Sequence, residues 1–354
     1  MYTCDQRPKF MVGTSEIQNH ENDRQRFGQK NRFVRDSIRG IPPARGSVGL
    51  RNIGNSCYLN SILQCLNQIA PLVKYFIDGT YLDHINKGNP LGSGGKVAAA
   101  YANFLTDVWS GDYEILSPRT LKDIVGAFAP RFNNRYQHDS QEFLSFFLDG
   151  LHEDCNRVLK KPYVEDLEST TTPDKEMAIE SWRRHLLRHN SFIVDHCQGM
   201  YRSHLTCTDC DHKSVKFDVY STISLPIPPI EDKRNVKTST VHLRDCLDLF
   251  TLEEELDESN AWFCGQCKKH VCAKKRISLW STPDIMVLHL KRFQYAHHQK
   301  NKSRILKSKV ETPVDYPLSD LDMSPYLLGP TDPNSPPVYK VSIFHQVYFR
   351  LICL

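Results

Sequence analysis

The chain has 354 residues, and its 45 Lys or Arg against 41 Asp or Glu give a formal net charge of only +4. Hydrophobic residues make up 40% and charged residues 24%, close to the globular average, and no apolar run approaches the roughly 18 residues of a membrane span. The first 20 residues are polar and lack the apolar stretch of a secretory signal. These features predict an intracellular protein in the cytoplasm, with the nucleus as a second location.

The positive charge is concentrated near the N-terminus. Residues 1–47 hold nine Lys or Arg and five Asp or Glu, so residues 48–354 are balanced. Residues 41–47 have the Pro, Gly and Ser content of a linker, after which apolar periodicity begins. We therefore expect a disordered basic leader over 1–47 and a domain over 48–354 that binds neither nucleic acid nor a membrane.

Apolar spacing predicts helices in the first half of the chain and strands in the second. A helix with one buried face follows Cys57. Its apolar residues are Tyr58, Ile62, Leu63, Leu66 and Ile69. A second helix begins at a cap on Asp139 or Ser140. Its apolar residues are Phe143, Leu144, Phe147, Leu148 and Leu151. Residues 222–227 alternate as a strand does, and residues 285–290 are typical of a buried strand, so the pattern predicts an α+β fold.

Two Cys-x-x-Cys pairs have metal-ligand spacing, Cys207 with Cys210 and Cys264 with Cys267. Two residues between thiolates let each pair hold one edge of a tetrahedral zinc ion, so the two pairs predict a closed structural site that joins distant hairpins. Redox dithiols and free thiols are the alternatives, although neither pair has the strand-to-helix setting of a redox motif. The Lys- and Arg-rich residues 268–276 leave a zinc-ribbon nucleic-acid binder as a weaker alternative.

Cys57 lies where a loop containing glycine and asparagine turns into a helix. A thiol at that point faces the positive end of the helix dipole, which favours a thiolate nucleophile. Asn52 lies five residues earlier on a loop that must curl around Gly54, so its amide is able to serve as an oxyanion donor for acyl transfer. An inert buried thiol is the alternative that the cysteine alone leaves open.

Longer strings of the chain resemble one protein family. Residues 49–61 closely resemble the cysteine box of the ubiquitin-specific proteases, and residues 135–144 resemble that family's second motif. The two cysteine pairs fall where the family has its zinc-bearing fingers, and residues 280–293 resemble a strand of its palm. Over residues 48–328 the chain is therefore identified as similar to this family, in its large branch with several paralogues.

The resemblance implies a papain-like cysteine protease fold with thumb, fingers and palm. A helical thumb would take residues 48–190, zinc-bearing fingers 200–275 and a partial palm 276–354. It also implies a deubiquitinase that hydrolyses the isopeptide bond after the C-terminal glycine of ubiquitin. Its partners would be ubiquitin and ubiquitinated proteins, with one structural zinc ion and no cofactor for catalysis.

The resemblance also assigns roles to four residues. Cys57 would be the nucleophile and Asn52 the oxyanion-hole donor, while Asp139 and Glu142 would hold the arginine-bearing C-terminal tail of ubiquitin. The two carboxylates are three positions apart in the first turn of a helix, so they share a face, and carboxylates match guanidinium groups. Helix capping is the alternative function of these two residues and is compatible with substrate binding.

The family's histidine box, a glycine-rich stretch ending in Gly-His-Tyr, has no counterpart in this sequence. His345 is the only histidine after His298, and it lacks the glycine context of the family's base. We therefore expect a chain truncated before this box, with an incomplete palm. A catalytically inactive ubiquitin-binding pseudoenzyme is the alternative to a deubiquitinase.

Two weaker features complete the sequence predictions. Residues 92–96 resemble a phosphate-binding loop, but the spacing is short and Val97 replaces the required Ser or Thr, so a flexible loop is expected. Five further cysteines lie in periodic stretches and are expected to be small core residues. They are Cys65, Cys155, Cys197, Cys246 and Cys272.

Overall fold

The computed structural model describes most of the chain. The described residues are 36–40, 44–165, 167, 172–229, 240–297, 305–331, 336–340, 342–343 and 351–353. They belong to two compact units, Met1–Leu159 and Lys160–Leu354. Most of the predicted leader lies outside the described residues, so its disorder stays a prediction. Within the described part of the chain, no helix is both long enough and apolar enough to cross a membrane.

The first unit is mainly helical. Its helices are α1 (Cys57–Leu66), α2 (Ala70–Ile77), α3 (Lys96–Ser110), α4 (Arg119–Phe128) and α5 (Ser140–Asp154). Its strands are β1 (Ile38–Arg39), β2 (Gly49–Leu50) and β3 (Tyr113–Leu116). β3 lies between the other two strands, antiparallel to β1 and parallel to β2. The predicted helices after Cys57 and Asp139 are thus confirmed as α1 and α5.

Aromatic side chains fill the core of the first unit. Tyr101 on α3 meets the Phe147 ring of α5 edge-on, with ring centroids 5.2 Å apart. Phe143, one turn earlier on α5, stacks on Phe147 at 5.6 Å and meets Tyr58 of α1 at 5.4 Å. All four side chains are almost fully buried. The core therefore connects the first turn of α1 to α5. Its aromatic pairs stabilise the unit beyond the effect of burying apolar area.

Residues 92–96 form a fixed loop around a carboxylate of the same chain. Asp154, at the end of α5, is fully buried. Its oxygens accept hydrogen bonds from Ser93 N at 2.6 Å and Ser93 Oγ at 2.6 Å, and from the amides of Gly95, Val97 and Ala98 at 3.1 Å each. The expected flexibility is wrong because the first turn of α3 and its preceding loop are held by this anion.

The second unit contains short helices and most of the strands. Its helices are α6 (Asp174–Leu186), α7 (Phe192–Cys197) and α8 (Leu243–Thr251). Its first strands are β4 (Gly199–Cys207), β5 (Lys213–Tyr220), β6 (Ile223–Leu225), β7 (Val241–His242), β8 (Glu254–Leu256), β9 (Trp262–Cys264), β10 (Lys269–Val271) and β11 (Ala273–Ser281). The remaining strands are β12 (Val287–Leu290), β13 (Phe293–His297), β14 (Ile305–Lys309), β15 (Val314–Asp315), β16 (Leu321–Asp322), β17 (Val338–Tyr339), β18 (Ser342–Ile343) and β19 (Leu351–Cys353).

Two four-stranded sheets organise these strands. The first has the order β5-β4-β11-β8 and is antiparallel throughout, and the second has the order β18-β19-β12-β6. In the second sheet β6 runs parallel to β12, so Ile223 pairs with Leu288. Both predicted strands are therefore present and are neighbours, although they are far apart in sequence.

The core of the second unit joins α8 to the β6 and β12 strands. Leu243, Cys246 and Leu247 of α8 lie in one buried cluster with Ile223 and Leu288. Four of the five cysteines predicted for the core are buried, whereas Cys272 is half-buried. Helices dominate the first unit and strands the second, so the predicted α+β class is confirmed.

Candidate functional site

The loop before α1 is organised around the side chain of Asn52. Its Oδ1 accepts hydrogen bonds from Gly54 N at 3.0 Å, Ser56 N at 3.2 Å and Ser56 Oγ at 3.2 Å. Ser56 Oγ in turn accepts from Ile53 N at 2.9 Å. Because the oxygen of Asn52 is held by the loop, its Nδ2 is directed away from these three donors. No hydrogen-bond partner of Nδ2 is found within the described part of the chain.

Cys57 is the first residue of α1, and its side chain is half-buried. The preceding Ser56 is fully buried, and no side chain caps the first turn of this helix. Asn60, one turn later, donates its amide to the carbonyl groups of Leu50 at 3.4 Å and Arg51 at 3.2 Å. The start of the loop is thereby tied to α1, so Cys57 and Asn52 are held at the same helix terminus.

A second loop contacts the Cys57 loop. Asn55, whose φ of 49° is in the left-handed region, donates its Nδ2 to the carbonyl oxygen of Arg135 at 2.8 Å. Lys122 of α4 donates its Nζ to the carbonyl groups of Phe132 at 3.3 Å and Asn134 at 2.9 Å. Burial lowers the pKa of Lys122. The segment before α5 is thus fixed from two sides.

The side chains of this second loop pack on Tyr58, the residue after Cys57. His138 donates a hydrogen bond from its Nε2 to Asn134 Oδ1 at 2.8 Å, and burial lowers the pKa of the imidazole. Its ring meets Tyr58 edge-on at 5.1 Å, and Tyr58 stacks on Phe132 at 5.9 Å. Burial and the neighbouring Cys57 raise the pKa of Tyr58 to about 12. The two loops therefore share an aromatic core.

The two predicted substrate-binding carboxylates lie at the start of α5. Asp139 is the N-cap, and its Oδ1 accepts a hydrogen bond from Gln141 N at 2.8 Å. Glu142, in the first turn, forms an ion pair with Arg131 at 2.8 Å between Oε1 and Nη1. The Arg131 guanidinium also lies 5.2 Å from the centroid of the Phe146 ring. Asp139 thus acts as a cap, and Glu142 already contacts a guanidinium group.

The four cysteines with metal-ligand spacing come together in the second unit. Cys207 Sγ lies 3.8 Å from Cys267 Sγ, and Cys210 Sγ lies 3.7 Å from Cys264 Sγ. All four sulfur atoms lie within 4.8 Å of one another. A tetrahedral zinc ion with Zn–S bonds of about 2.3 Å requires sulfur atoms about 3.8 Å apart. The separations and the donor set fit such an ion.

Two matching turns present these sulfur atoms. In the first turn Asp211 N donates to Cys207 O at 3.2 Å, and in the second Lys268 N donates to Cys264 O at 2.8 Å. Asp211 and Lys268 have φ values of 55° and 57°, so each turn passes through the left-handed region directly after its second cysteine. Lys269 and Asp209 link the two turns by an ion pair of 2.9 Å.

The thiols of this cluster influence one another. Burial opposes the thiolate of Cys264, but amide donors such as Cys267 N at 3.4 Å outweigh it and lower the pKa to about 7. The hydrogen bond to Cys210 and burial raise the pKa of Cys267 to about 12. A second thiolate is therefore disfavoured beside the first, and a cation among the four sulfur atoms would remove that penalty.

Comparison with known proteins identifies the family. The profile described as "Ubiquitin carboxyl-terminal hydrolase" matches residues 48–351, which is most of the chain. The chain belongs to the ubiquitin carboxyl-terminal hydrolase family. Ubiquitin carboxyl-terminal hydrolase 15 of Xenopus tropicalis is 45% identical over 183 residues, and hydrolase 4 of Mus musculus is 47% identical over 188 residues. These matches cover 52% and 53% of this chain but only 19% and 20% of the relatives, so the chain spans a minor part of their length.

Solved structures show the same fold. A SAGA DUB module containing Ubp8, Sgf11, Sus1 and Sgf73, bound to monoubiquitin, matches with a TM-score of 0.58 at 20% identity. The match covers 89% of this chain and 62% of that chain. The same module bound to ubiquitin aldehyde matches with a TM-score of 0.57 at 19% identity. The predicted ubiquitin-specific protease resemblance and the papain-like α+β fold are therefore confirmed.

Three residues with contacts at the candidate site were not singled out from the sequence. Asn55 and Ser56, inside the cysteine box, organise the loop, and Arg131 contacts Glu142 from outside the second motif. The asparagine in a glycine-containing loop was a usable signal, because asparagine tolerates the left-handed region. The pairing of Arg131 with Glu142 depends on the tertiary fold and had no local signal. His345, the histidine that the sequence disfavoured as a base, lies outside the described residues.

Proposed function

We propose that this chain is a cysteine-type deubiquitinase that hydrolyses the isopeptide bond after the C-terminal glycine of ubiquitin. Family membership supports the reaction class. The observation that carries the proposal is the loop before α1, where Asn52 is fixed by its oxygen and Cys57 begins the helix. A nucleophile and an oxyanion donor are the two groups that the first step of acyl transfer needs, and we assign these roles to Cys57 and Asn52.

The proposed reaction begins at Cys57 Sγ. The thiolate attacks the carbonyl carbon of the ubiquitin glycine, so an S–C bond forms and the carbonyl oxygen takes the negative charge. Asn52 Nδ2 and backbone N–H groups donate hydrogen bonds to that oxyanion. The C–N bond then breaks and the lysine amine leaves with a proton. Water hydrolyses the thioester, which releases ubiquitin and restores Cys57.

Proton transfer is a separate requirement of this reaction. The thiol must lose a proton before attack, and the leaving amine must gain one, so a general acid–base group takes part. Hydrolysis of an activated ubiquitin derivative depends less on protonation of the leaving group than hydrolysis of an amide does. The two kinds of substrate therefore report separately on the nucleophile and on the acid–base group.

Substrate recognition is proposed at the start of α5. The Glu142 side chain is partly exposed and already binds a guanidinium group in the free protein. Asp139, the N-cap three positions earlier, supplies a second carboxylate at this end of α5. Arginine residues of the ubiquitin tail would find charge-assisted hydrogen bonds at these carboxylates.

The deciding experiment uses ubiquitin that carries a C-terminal electrophile. The full chain is expected to form a covalent adduct at Cys57, and Cys57→Ala is expected to abolish it. Asn52→Ala is expected to slow the reaction by about 100-fold or more, since oxyanion donors contribute that much in acyl transfer. Turnover of a ubiquitin amide, followed by fluorescence, completes the assay.

Three outcomes would contradict the proposed activity. Tight ubiquitin binding without adduct or turnover, unchanged by Cys57→Ala, would identify a ubiquitin-binding protein instead of an enzyme. Absence of any ubiquitin binding would also reject ubiquitin as the partner. Retention on DNA that weakens with salt, without ubiquitin affinity, would favour a nucleic-acid binder.

We further propose that the four clustered cysteines bind one structural zinc ion. The ligands would be Cys207, Cys210, Cys264 and Cys267, whose sulfur separations fit a tetrahedral ion. Bound zinc supplies a cross-link between two turns and, with four protein ligands, no open position for catalysis. Metal analysis should find about one zinc per chain, and a purified chain without zinc would refute the assignment.

A further inference from the structure

Glu142 and Phe146 present a binding site for a guanidinium group. The carboxylate accepts charge-assisted hydrogen bonds, and the partly exposed Phe146 ring offers an aromatic face one turn further along α5. A carboxylate beside an aromatic ring is the combination that an arginine side chain prefers. In the free protein this site already contains a guanidinium group, which belongs to Arg131.

Arg131 makes both contacts at once. Its Nη1 lies 2.8 Å from Glu142 Oε1, and its Cζ lies 5.2 Å from the Phe146 centroid and 5.9 Å from the Phe132 centroid. Phe132 is buried and holds Phe146 edge-on at 5.6 Å, so the aromatic part of the site is fixed. The Arg131 side chain is about 50% exposed, so it is free to leave without opening the core.

We propose that Arg131 occupies, in the free protein, the guanidinium site on Glu142 and Phe146 that an arginine of the ubiquitin tail takes in the complex. This inference rests on the proposed function. Arg131 is then an internal competitor, and ubiquitin must displace it before the carboxylate is available. The apparent affinity for ubiquitin is then the intrinsic affinity multiplied by the fraction of molecules in which the site is empty.

The expected change in ubiquitin affinity follows from the solvent exposure of the Arg131–Glu142 ion pair. Ion pairs at a protein surface are weak, so Arg131 is displaced readily, and the competition lowers ubiquitin affinity only modestly. The Arg131→Gln variant is therefore expected to bind ubiquitin about two- to five-fold more tightly than the parent chain. A residue that merely supported the shape of the site would weaken binding when replaced.

Binding is measured by calorimetry with intact ubiquitin and the full chain carrying Cys57→Ala, so that no turnover occurs. Glu142→Gln should weaken binding and remove the gain from Arg131→Gln in the double variant, because both changes act on one pair. The matched control is Arg119→Gln. Arg119 is similarly exposed at 48% and pairs with Asp36 at 3.5 Å, so it tests the loss of a surface charge alone.

A ubiquitin whose tail arginines are replaced by glutamine completes the design. The gain from Arg131→Gln should vanish with this ligand, because nothing then competes for Glu142. Unchanged or weaker binding of intact ubiquitin by Arg131→Gln, or an equal gain in Arg119→Gln, overturns this inference alone. Absence of ubiquitin binding by the parent chain overturns the proposed function and this inference with it. Circular dichroism of each variant shows that it is folded.

Discussion

Asp154 is a buried carboxylate whose hydrogen bonds come from one loop and the helix that follows it. Five donors from residues 93–98 surround its two oxygens. Gly92 and Gly95 lie close to neighbouring groups, and a side chain at Gly95 would meet Ile85 at 2.9 Å while its φ is +88°. The loop therefore requires Gly92, Gly95 and this particular anion.

Replacing Asp154 tests this arrangement at the level of one residue. Asp154→Asn turns one acceptor into a donor that faces amide groups, so we expect a loss of about 2–4 kcal/mol in the free energy of unfolding. Urea unfolding followed by circular dichroism measures the change, and hydrogen exchange of the α3 amides locates it.

Asp78→Asn is the control. Asp78 is 39% exposed and pairs with Lys74 at 3.9 Å, so its loss should cost less than about 0.5 kcal/mol. Equal effects of the two variants would refute the structural role of Asp154.

The sequence predicted those features whose signal lies within a few neighbouring positions. The start of α1 at Cys57, the Asp139 cap and each Cys-x-x-Cys pair depend on spacing within a few positions. The anion of the 92–96 loop lies 61 positions from Ser93, so its glycines alone pointed to a flexible loop. Partners that distant in sequence are brought together by tertiary packing, which spacing rules do not contain.

Among the elements, the loop before Cys57 and the loop before α5 depend on each other. Asn55 donates to the carbonyl of Arg135, which is 80 positions away, and the left-handed φ of Asn55 aims its side chain at that carbonyl. Lys122 holds the same segment from α4. The position of Cys57 relative to α5 is thus set by one side-chain hydrogen bond and the aromatic contacts of Tyr58.

Breaking the Asn55 hydrogen bond should affect chemistry more than binding. Asn55→Gly keeps the left-handed backbone but removes the donor, and Asn55→Asp replaces it with an acceptor facing a carbonyl. We expect the rate of adduct formation with electrophilic ubiquitin to fall about 3- to 10-fold in both, with ubiquitin affinity within two-fold of the parent. Asn103→Asp, the same change on the exposed face of α3, is the control and should leave the rate unchanged. A loss of affinity equal to the loss of rate would show that Asn55 supports binding instead.

At the scale of the whole molecule, the order of helices and strands in the sequence predicted the class of fold but not the pairing of its strands. The helices α1 and α5 and the strands β6 and β12 follow from periodicity. The parallel pairing of β6 with β12 does not, because it depends on which strands meet after the intervening residues have folded. The sequence predicted hairpins at the cysteine pairs but not the β5-β4-β11-β8 sheet, because the pairing of β4 with β11 joins residues more than 60 positions apart.

Metal removal should loosen the strands beside the cysteine cluster and leave the first unit unchanged. The cysteine turns follow β4 and β9, and Cys207 is paired with Ala273 at the end of the β4–β11 ladder. We expect a zinc chelator, or Cys264→Ser, to speed hydrogen exchange in β4, β9, β10 and β11 and to leave α1–α5 unchanged. Cys272→Ser is the control, since Cys272 is half-buried near the cluster without belonging to it. Equally fast exchange in α1 and α5 after chelation would contradict this prediction.

The distance in sequence between the two cysteine pairs also determines when the site is able to form. Fifty-three residues lie between Cys210 and Cys264, so the chain must close a long loop before four sulfur atoms meet. During synthesis, the first pair therefore remains as free thiols until β9–β11 have left the ribosome and β11 has paired with β4. Oxidation in that interval would form a disulfide where a metal ligand is needed, so production of this chain under reducing conditions with zinc present favours correct assembly.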